Sequence, residues 1–334
     1  MPALRRHPRL LELVFSGLIA DNQQRKAALS MELQKNDADQ KFLLKIADLT
    51  VAVVCDGREL EIGMKGGKQE FIVHEGAPDV KIRAVWGGLS ESTMGVKLFD
   101  AGSVWQLYQN DGAYFFRLRS LAFGDRPYTI ARFNRNFSEG EILLHPDFFD
   151  PGQAVDPLSA PLDELLYGAL LGRGRGAEIH GCGLTDAKGQ GHLFVGKSGA
   201  GKTTMARLWQ DVPGTKILSD DRIILRKLEE RIWMYGTPWH GDGGMASPSC
   251  APLRRIYFLE KGQRNELLPK RKAGATLALT ACSFTPFYNR EAIEFTLGFV
   301  GEVAGEIPCF ELRVVPDRRV VEFIIDQISG DRPA

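Results

Sequence analysis

The stretch HLFVGKSGAGKTTMARLW, His192 to Trp209, constrains the fold more than any other part of the chain. An apolar strand runs into a glycine loop, and the loop runs into a helix-prone segment. Gly196, Lys197, Ser198, Gly199, Ala200, Gly201, Lys202 and Thr203 match G-x-x-x-x-G-K-[ST] in full, with Thr204 directly behind. Glycines at these places let backbone N–H groups converge on phosphate oxygens. Lys202 is spaced to reach the β- and γ-phosphates of a nucleotide, and the Thr203 hydroxyl to ligate Mg²⁺. A helix beginning near Lys202 turns its positive end toward the same anion.

The neighbourhood of the loop narrows the chemistry. AEIHGCGLTDAKGQGHLFVG reads as two strands about a turn at Lys188 and Gly189. Such a hairpin is antiparallel, so His180 falls at the glycine-loop end of the pair. Taken alone, a histidine on a strand is more often structural than functional. TKILSDD is a further strand that ends in Asp220 and Asp221. Asp is common in turns, but strand-end acids near a phosphate loop can hold Mg²⁺ or take a proton from an attacking group. RIILRKL follows at once, so the two acids sit in a tight bend between strands. No N-K-x-D guanine motif follows, and no apolar strand ends in the D-E of a hydrolytic ATPase.

The remainder of the chain supplies a scaffold. At 334 residues it exceeds the usual single-domain size, and we divide it into residues 1–150 and 151–334. Residues 8–34 have apolar positions at helical spacing. Glu12 interrupts their apolar run and no small-residue cleavage site follows, so this is expected to be an amphipathic helix rather than a signal peptide. From Ala47 to about Leu144 short alternating runs are separated by Gly, Asp and Asn, which predicts a mostly antiparallel β region. QNDGAY marks one hairpin within it. His145 to Pro161 is rich in Pro and Asp and reads as a linker, and LDELLYGALLG as a short helix. Hairpin RIILRKLEERIWMYGTPW, strand LRRIYFLEK, helices AGATLALTACSF and REAIEFTLGFVGEVAGE, strand CFELRVV and helix RRVVEFIIDQIS complete an α/β (α+β) pattern.

Composition excludes some classes. Lys plus Arg and Asp plus Glu both number 42, which argues against a general nucleic-acid or membrane-surface binder. The five cysteines are scattered, with no C-x-x-C spacing, so neither a disulfide framework nor a structural zinc site is expected. No segment has the apolar length of a membrane span. The expectation is a cytoplasmic protein.

The combination IHGCGL, VGKSGAGKTT and ILSDDRI resembles the catalytic domain of the HPr kinase/phosphorylase family, within the phosphoenolpyruvate-carboxykinase-like fold. His180 lies 23 residues before Thr203 and Asp220 lies 17 after it, separations similar to the family's. The resemblance implies a C-terminal kinase-like domain with a mixed sheet and an ATP- and Mg²⁺-dependent transfer of phosphate to a hydroxyl, a serine of a protein or peptide foremost. It implies that Lys202 and the loop backbone bind the triphosphate and that Thr203 holds Mg²⁺. Asp220 would be the base, Asp221 would support the metal or the phosphates, and His180 would sit beside Asp220. Related kinases form oligomers, so a homo-oligomer is an expectation from the resemblance.

The chain also departs from the family pattern. The downstream E-x-R-G-x-G stretch is absent, and YGTPWHGDGGMASPS stands there instead. That stretch resembles uncharacterised or biosynthetic-cluster kinases related to HPr kinase, some of which phosphorylate a serine of a small precursor peptide, so HPr is not the expected substrate and the acceptor sought is a protein or peptide, with those encoded near this gene as candidates. GTPWHGDGG is expected to cover the site as a mobile loop, with Trp239, His240 and Asp242 as candidate contacts. The family's phosphoryl-stabilising arginine has Arg254, Arg255 and Arg290 as candidates. Other readings are a small-molecule kinase, a carboxykinase-like enzyme, a reversible kinase/phosphorylase and an ATP-sensing regulator that transfers nothing.

Overall fold

The computed structural model describes residues 40–55, 61–64, 66–87, 91–102, 104–150 and 153–329. The helix expected over residues 8–34 lies outside them. The described chain is a mixed α/β structure with two mixed sheets. Among the described residues no helix is long and apolar enough to cross a membrane.

The first sheet has nine strands: β1 (Gln40–Ile46), β2 (Leu49–Cys55), β3 (Ile72–Val73), β4 (Val80–Trp86), β5 (Val96–Asp100), β6 (Trp105–Asn110), β7 (Ala113–Leu118), β8 (Thr129–Phe133) and β9 (Glu139–Leu144). Their spatial order is β3-β1-β2-β4-β9-β8-β7-β6-β5. The pairs β2–β4 and β4–β9 are parallel and the rest antiparallel. The region therefore starts earlier than Ala47 but is mostly antiparallel as expected. In β4, Val80, Ile82 and Ala84 face the core while Lys81 and Arg83 face water, the period-2 pattern of a half-buried strand. The hairpin at QNDGAY joins β6 to β7, with Asp111 and Gly112 both at positive φ, as a type I′ turn requires.

Helix α1 (Leu162–Leu171) links the halves. Its Leu166, Tyr167 and Leu170 enter the core of the first sheet together with Ile224 and Tyr235 from the second. The Tyr167 hydroxyl donates to the carbonyls of Leu44 and Leu49 at 2.9 and 3.2 Å. The 145–161 segment is not a free linker. Leu158 is fully buried, and Asp156 holds the Lys68 ammonium at 2.7 Å. Lys68 also reaches Asp163 and the Leu158 carbonyl, each at 2.7 Å, so all three of its N–H bonds are used.

The second sheet contains β10 (Ala177–Thr185), β11 (Gly191–Val195), β12 (Lys216–Ser219), β13 (Arg222–Leu228), β14 (Arg231–Gly236), β15 (Cys250–Lys261), β16 (Glu266–Pro269) and β17 (Cys309–Val314). Between and after them run α2 (Lys202–Gln210), α3 (Lys272–Thr280), α4 (Arg290–Glu306) and α5 (Arg319–Ser329). Strand β11 is antiparallel to β10 and parallel to β15. Alternation sorts its side chains onto two faces. Leu193 and Val195 join a core under α3 and α4, while Phe194 joins one under α2 and α5. Strand β15 sorts the same way, Ile256 and Phe258 against Tyr257 and Leu259. Both faces are covered by helices, which explains the near-continuous apolar runs in the sequence.

Candidate phosphoryl-transfer site

The glycine loop lies between β11 and α2, as its motif demands. Gly199 and Gly201 have φ of 77° and 106°, values that glycine adopts without a Cβ penalty. Helix α2 starts at Lys202, with Gly201 as its N-cap and no side-chain cap, so its first N–H groups are left for an anion. The buried side of α2, Met205, Ala206 and Trp209, anchors the helix on the sheet. Lys202 is itself buried, and its Nζ donates to the carbonyls of Gly196 and Lys197 at 2.9 and 3.3 Å. Burial lowers its pKa despite the attraction of Asp221. Thr203 and Thr204 follow in the first helical turn, both half-buried.

Strand β12 brings the two acids to this loop, and they take different environments. Asp220 is wholly buried. Its Oδ1 accepts from the amides of Gly241 and Met245 at 3.0 and 3.4 Å, and its Oδ2 from the amide of Gly243 at 2.8 Å. Ser247 N–H donates to the Leu218 carbonyl and Asp220 N–H to that of Met245. The GTPWHGDGG segment is thus stitched onto the end of β12 and covers it. A Cβ on Gly243 would lie 2.4 Å from Asp220 Oδ2 and 3.1 Å from Thr203 Cγ2, so only a glycine lets the cover close over both residues.

Asp221 turns the other way. The Ser219 hydroxyl accepts from the amides of Asp221 and Arg222 at 3.3 and 3.2 Å, which forms the bend. Asp221 Oδ1 lies 3.4 Å from His180 Nε2, and the two side chains are 28% and 33% exposed. The structure therefore pairs His180 with Asp221, whereas the resemblance implied Asp220. The hairpin that delivers His180 is the expected one, with Gly181 opposite Val195. Burial, and then the charge of Lys202, lower the His180 pKa against the pull of Asp221. The ring stacks on Phe284 at 6.1 Å and 7°.

Behind Asp221 stands an arginine that motif reasoning overlooked. Arg222 Nε lies 3.4 Å from Asp221 Oδ2, and its Nη1 bonds Glu178 at 2.9 Å and also Glu164. Its guanidinium lies 4.1 Å from the Phe284 ring centroid. Burial and the charge of Glu164 raise the pKa of Glu178, which Arg222 opposes. The clue in the sequence was position alone: Arg222 directly follows the acid pair. The three arginines singled out earlier are engaged or placed elsewhere. Arg290 pairs with Glu294 at 2.8 Å, Arg255 is buried over Phe310, and Arg254 is exposed on β15. Trp239 packs edge-on against Tyr167, while His240 and Asp242 are exposed.

Thr203 and Asp221 each offer a hard oxygen donor of the kind Mg²⁺ takes, its other oxygens coming from phosphates and water. Among the described residues no group of three or more His, Cys, Asp and Glu is arranged to hold a metal ion.

No family model and no curated protein matches the sequence. Among solved structures the chain is similar to the Hpr(Ser) kinase/phosphatase from Coxiella burnetii, with 12% identity over 46% of this chain and 95% of that one and a TM-score of 0.27. At that identity and score, the roles below rest on the residues of this chain alone.

Proposed function

We propose that this chain is an ATP- and Mg²⁺-dependent kinase that moves the γ-phosphoryl group to a hydroxyl, with a serine of a protein or peptide as the acceptor sought first. The observation that carries the reading is the meeting of an open phosphate loop and the paired His180 and Asp221 around Lys202. A nucleotide store needs only the loop. A transfer site also needs a carboxylate within reach of an incoming hydroxyl.

The roles follow from accessibility. The loop amides from Lys197 to Lys202 and the start of α2 bind the triphosphate. Lys202 exchanges its two carbonyl partners for phosphate oxygens. Mg²⁺, when bound, neutralises charge building on the β- and γ-phosphate oxygens, and Thr203 is the residue that would ligate it. Proton acceptance goes to Asp221, because Asp220 is wholly buried beneath the 241–245 cover whereas the Asp221 side chain is 28% exposed. The acceptor hydroxyl gives its proton to Asp221 as its oxygen bonds to the γ-phosphorus. The bond from that phosphorus to the β,γ-bridging oxygen breaks, and ADP departs. His180 is a positioning residue: its Nε2 lies 3.4 Å from Asp221 Oδ1, and a ring whose pKa is lowered by burial leaves that carboxylate its charge. Phosphoryl transfer is mostly positioning and charge stabilisation, and this site supplies both.

The test is ADP formation from ATP with Mg²⁺, measured with and without hydroxyl-bearing peptides, including those encoded near this gene. Acceptor-dependent ADP release supports a kinase. Saturable ATP binding with no ADP under any condition would leave only a sensor.

A further inference from the structure

A cavity of about 900 Å³ opens beside Asp221, between Gly63, Gly66 and Gly67, residues 147–150 and 153–156, the start of α1, and residues 238–240. It is at the upper end of the size of ligand pockets. Its walls carry six carboxylates, Asp147, Asp150, Asp156, Asp163, Glu164 and Asp221, against the two cations Lys68 and Arg222. That is a formal excess of four negative charges, His240 aside. Both cations are already committed. Lys68 is bound by Asp156 and Asp163, and Arg222 by Glu164, Glu178 and Asp221. Asp147 makes only exposed contacts, to Arg126 at 3.3 Å and to His145. Asp150 is exposed and has no side-chain partner among the described residues.

Aromatic rings stand among these acids. Phe148, Phe149 and Trp239 line the same walls. Five of the six acids have a cation partner and Asp150 has none among the described residues; rings beside such an acid suit a cation on an alkyl stem, which lays its methylenes on the rings and its charge among the oxygens. The charge also complements the other substrate. An anionic acceptor would be repelled by these walls and by the phosphates of a nucleotide on the glycine loop, none of whose residues lines the cavity.

We propose that this cavity is the acceptor site, and that the acceptor is a lysine- or arginine-bearing peptide segment that presents its serine hydroxyl to Asp221. This rests on the kinase reading. Asp150 and Asp147 set its specificity from the rim, while Phe148 and Trp239 hold the segment's apolar parts.

The test uses two fluorescent serine peptides of equal length, one with lysines flanking the serine and one with glutamates. Binding to the full chain is read by anisotropy without nucleotide, and phosphate incorporation is read separately with γ-labelled ATP. The lysine peptide is expected to bind at least about ten-fold more tightly and to lose affinity as salt rises. Asp150→Asn is expected to weaken it about two- to five-fold, and Asp147→Asn with Asp150→Asn further, with thermal melting confirming that each variant is folded. Equal or tighter binding of the glutamate peptide, or no effect of either variant, overturns the proposal. Preferred binding of the lysine peptide without any incorporated label would instead count against the kinase reading while leaving the charge preference in place.

Discussion

Replacing Asp220 by Asn tests whether this residue tethers the cover or performs the chemistry. Its carboxylate accepts three backbone N–H bonds at 2.8, 3.0 and 3.4 Å, and the side chain is wholly buried. Asn can keep the Oδ1 bonds from Gly241 and Met245, but its amide NH₂ then faces the Gly243 N–H. The shortest bond is lost and a buried donor is left without a partner. A hydrogen bond to a charged group contributes about 1.5–3 kcal/mol, and an unsatisfied buried donor costs about 1–3 kcal/mol. These overlap, so the cover should lose about 2–4 kcal/mol. Hydrogen exchange at the Gly243 amide should accelerate about 30- to 1,000-fold if it opens locally, with smaller changes at Gly241 and Met245. Exchange at Gly243 unchanged within about three-fold would refute the tether. So would a variant that keeps the cover protected and yet loses all transfer, because the proton acceptor would then be Asp220.

Lys68→Met should be among the most destabilising single changes, by about 3–5 kcal/mol, because it strands Asp163 in the core beside Asp156. Chemical denaturation measures the loss, and a change under about 1 kcal/mol would show that the triad is dispensable. Lys202→Ala should weaken ATP binding measured by calorimetry at least about ten-fold, since it removes the cation among the phosphates; an unchanged dissociation constant would contradict the loop's role. His180 gives a pH signature. Its folded-state pKa lies below the ordinary value of about 6.5, so the unfolded chain takes up protons first as pH falls. The His180 contribution to stability is therefore present above about pH 6.5 and is lost as pH drops toward the folded value. The stability difference between the wild type and His180→Gln should shift in that sense between pH 7 and 5, and a flat difference would contradict the assignment.

Much of the second half is legible in the sequence because its signals are local. The loop glycines, the Asp186–Gln190 turn and the period-2 runs on either side determine β10, β11 and α2 over fewer than forty residues. That is enough to bring His180 to the glycine loop. What escapes is what depends on distant chain. Which of Asp220 and Asp221 is covered is decided by amides more than twenty residues later, at Gly241, Gly243 and Met245. Nothing in S-D-D shows it. The connection at 145–161 reads as a linker from its Pro and Asp content, yet Asp156 is there to meet Lys68, 88 residues away. Arg222 looks like an ordinary strand-start residue until β10 lays Glu178 beside it and α1 adds Glu164. The parallel β4–β9 pairing is equally nonlocal, since alternation specifies a strand's face and not its neighbour.

The most direct measurement is transfer of label from γ-labelled ATP, with Mg²⁺, into the serine of a lysine-flanked peptide by the wild-type chain and by Asp221→Asn. If Asp221 accepts the proton, the wild type labels the peptide, and Asp221→Asn binds ATP with near wild-type affinity but transfers at least about 100-fold more slowly. Labelling by Asp221→Asn at the wild-type rate would contradict the assignment at the centre of the proposed mechanism.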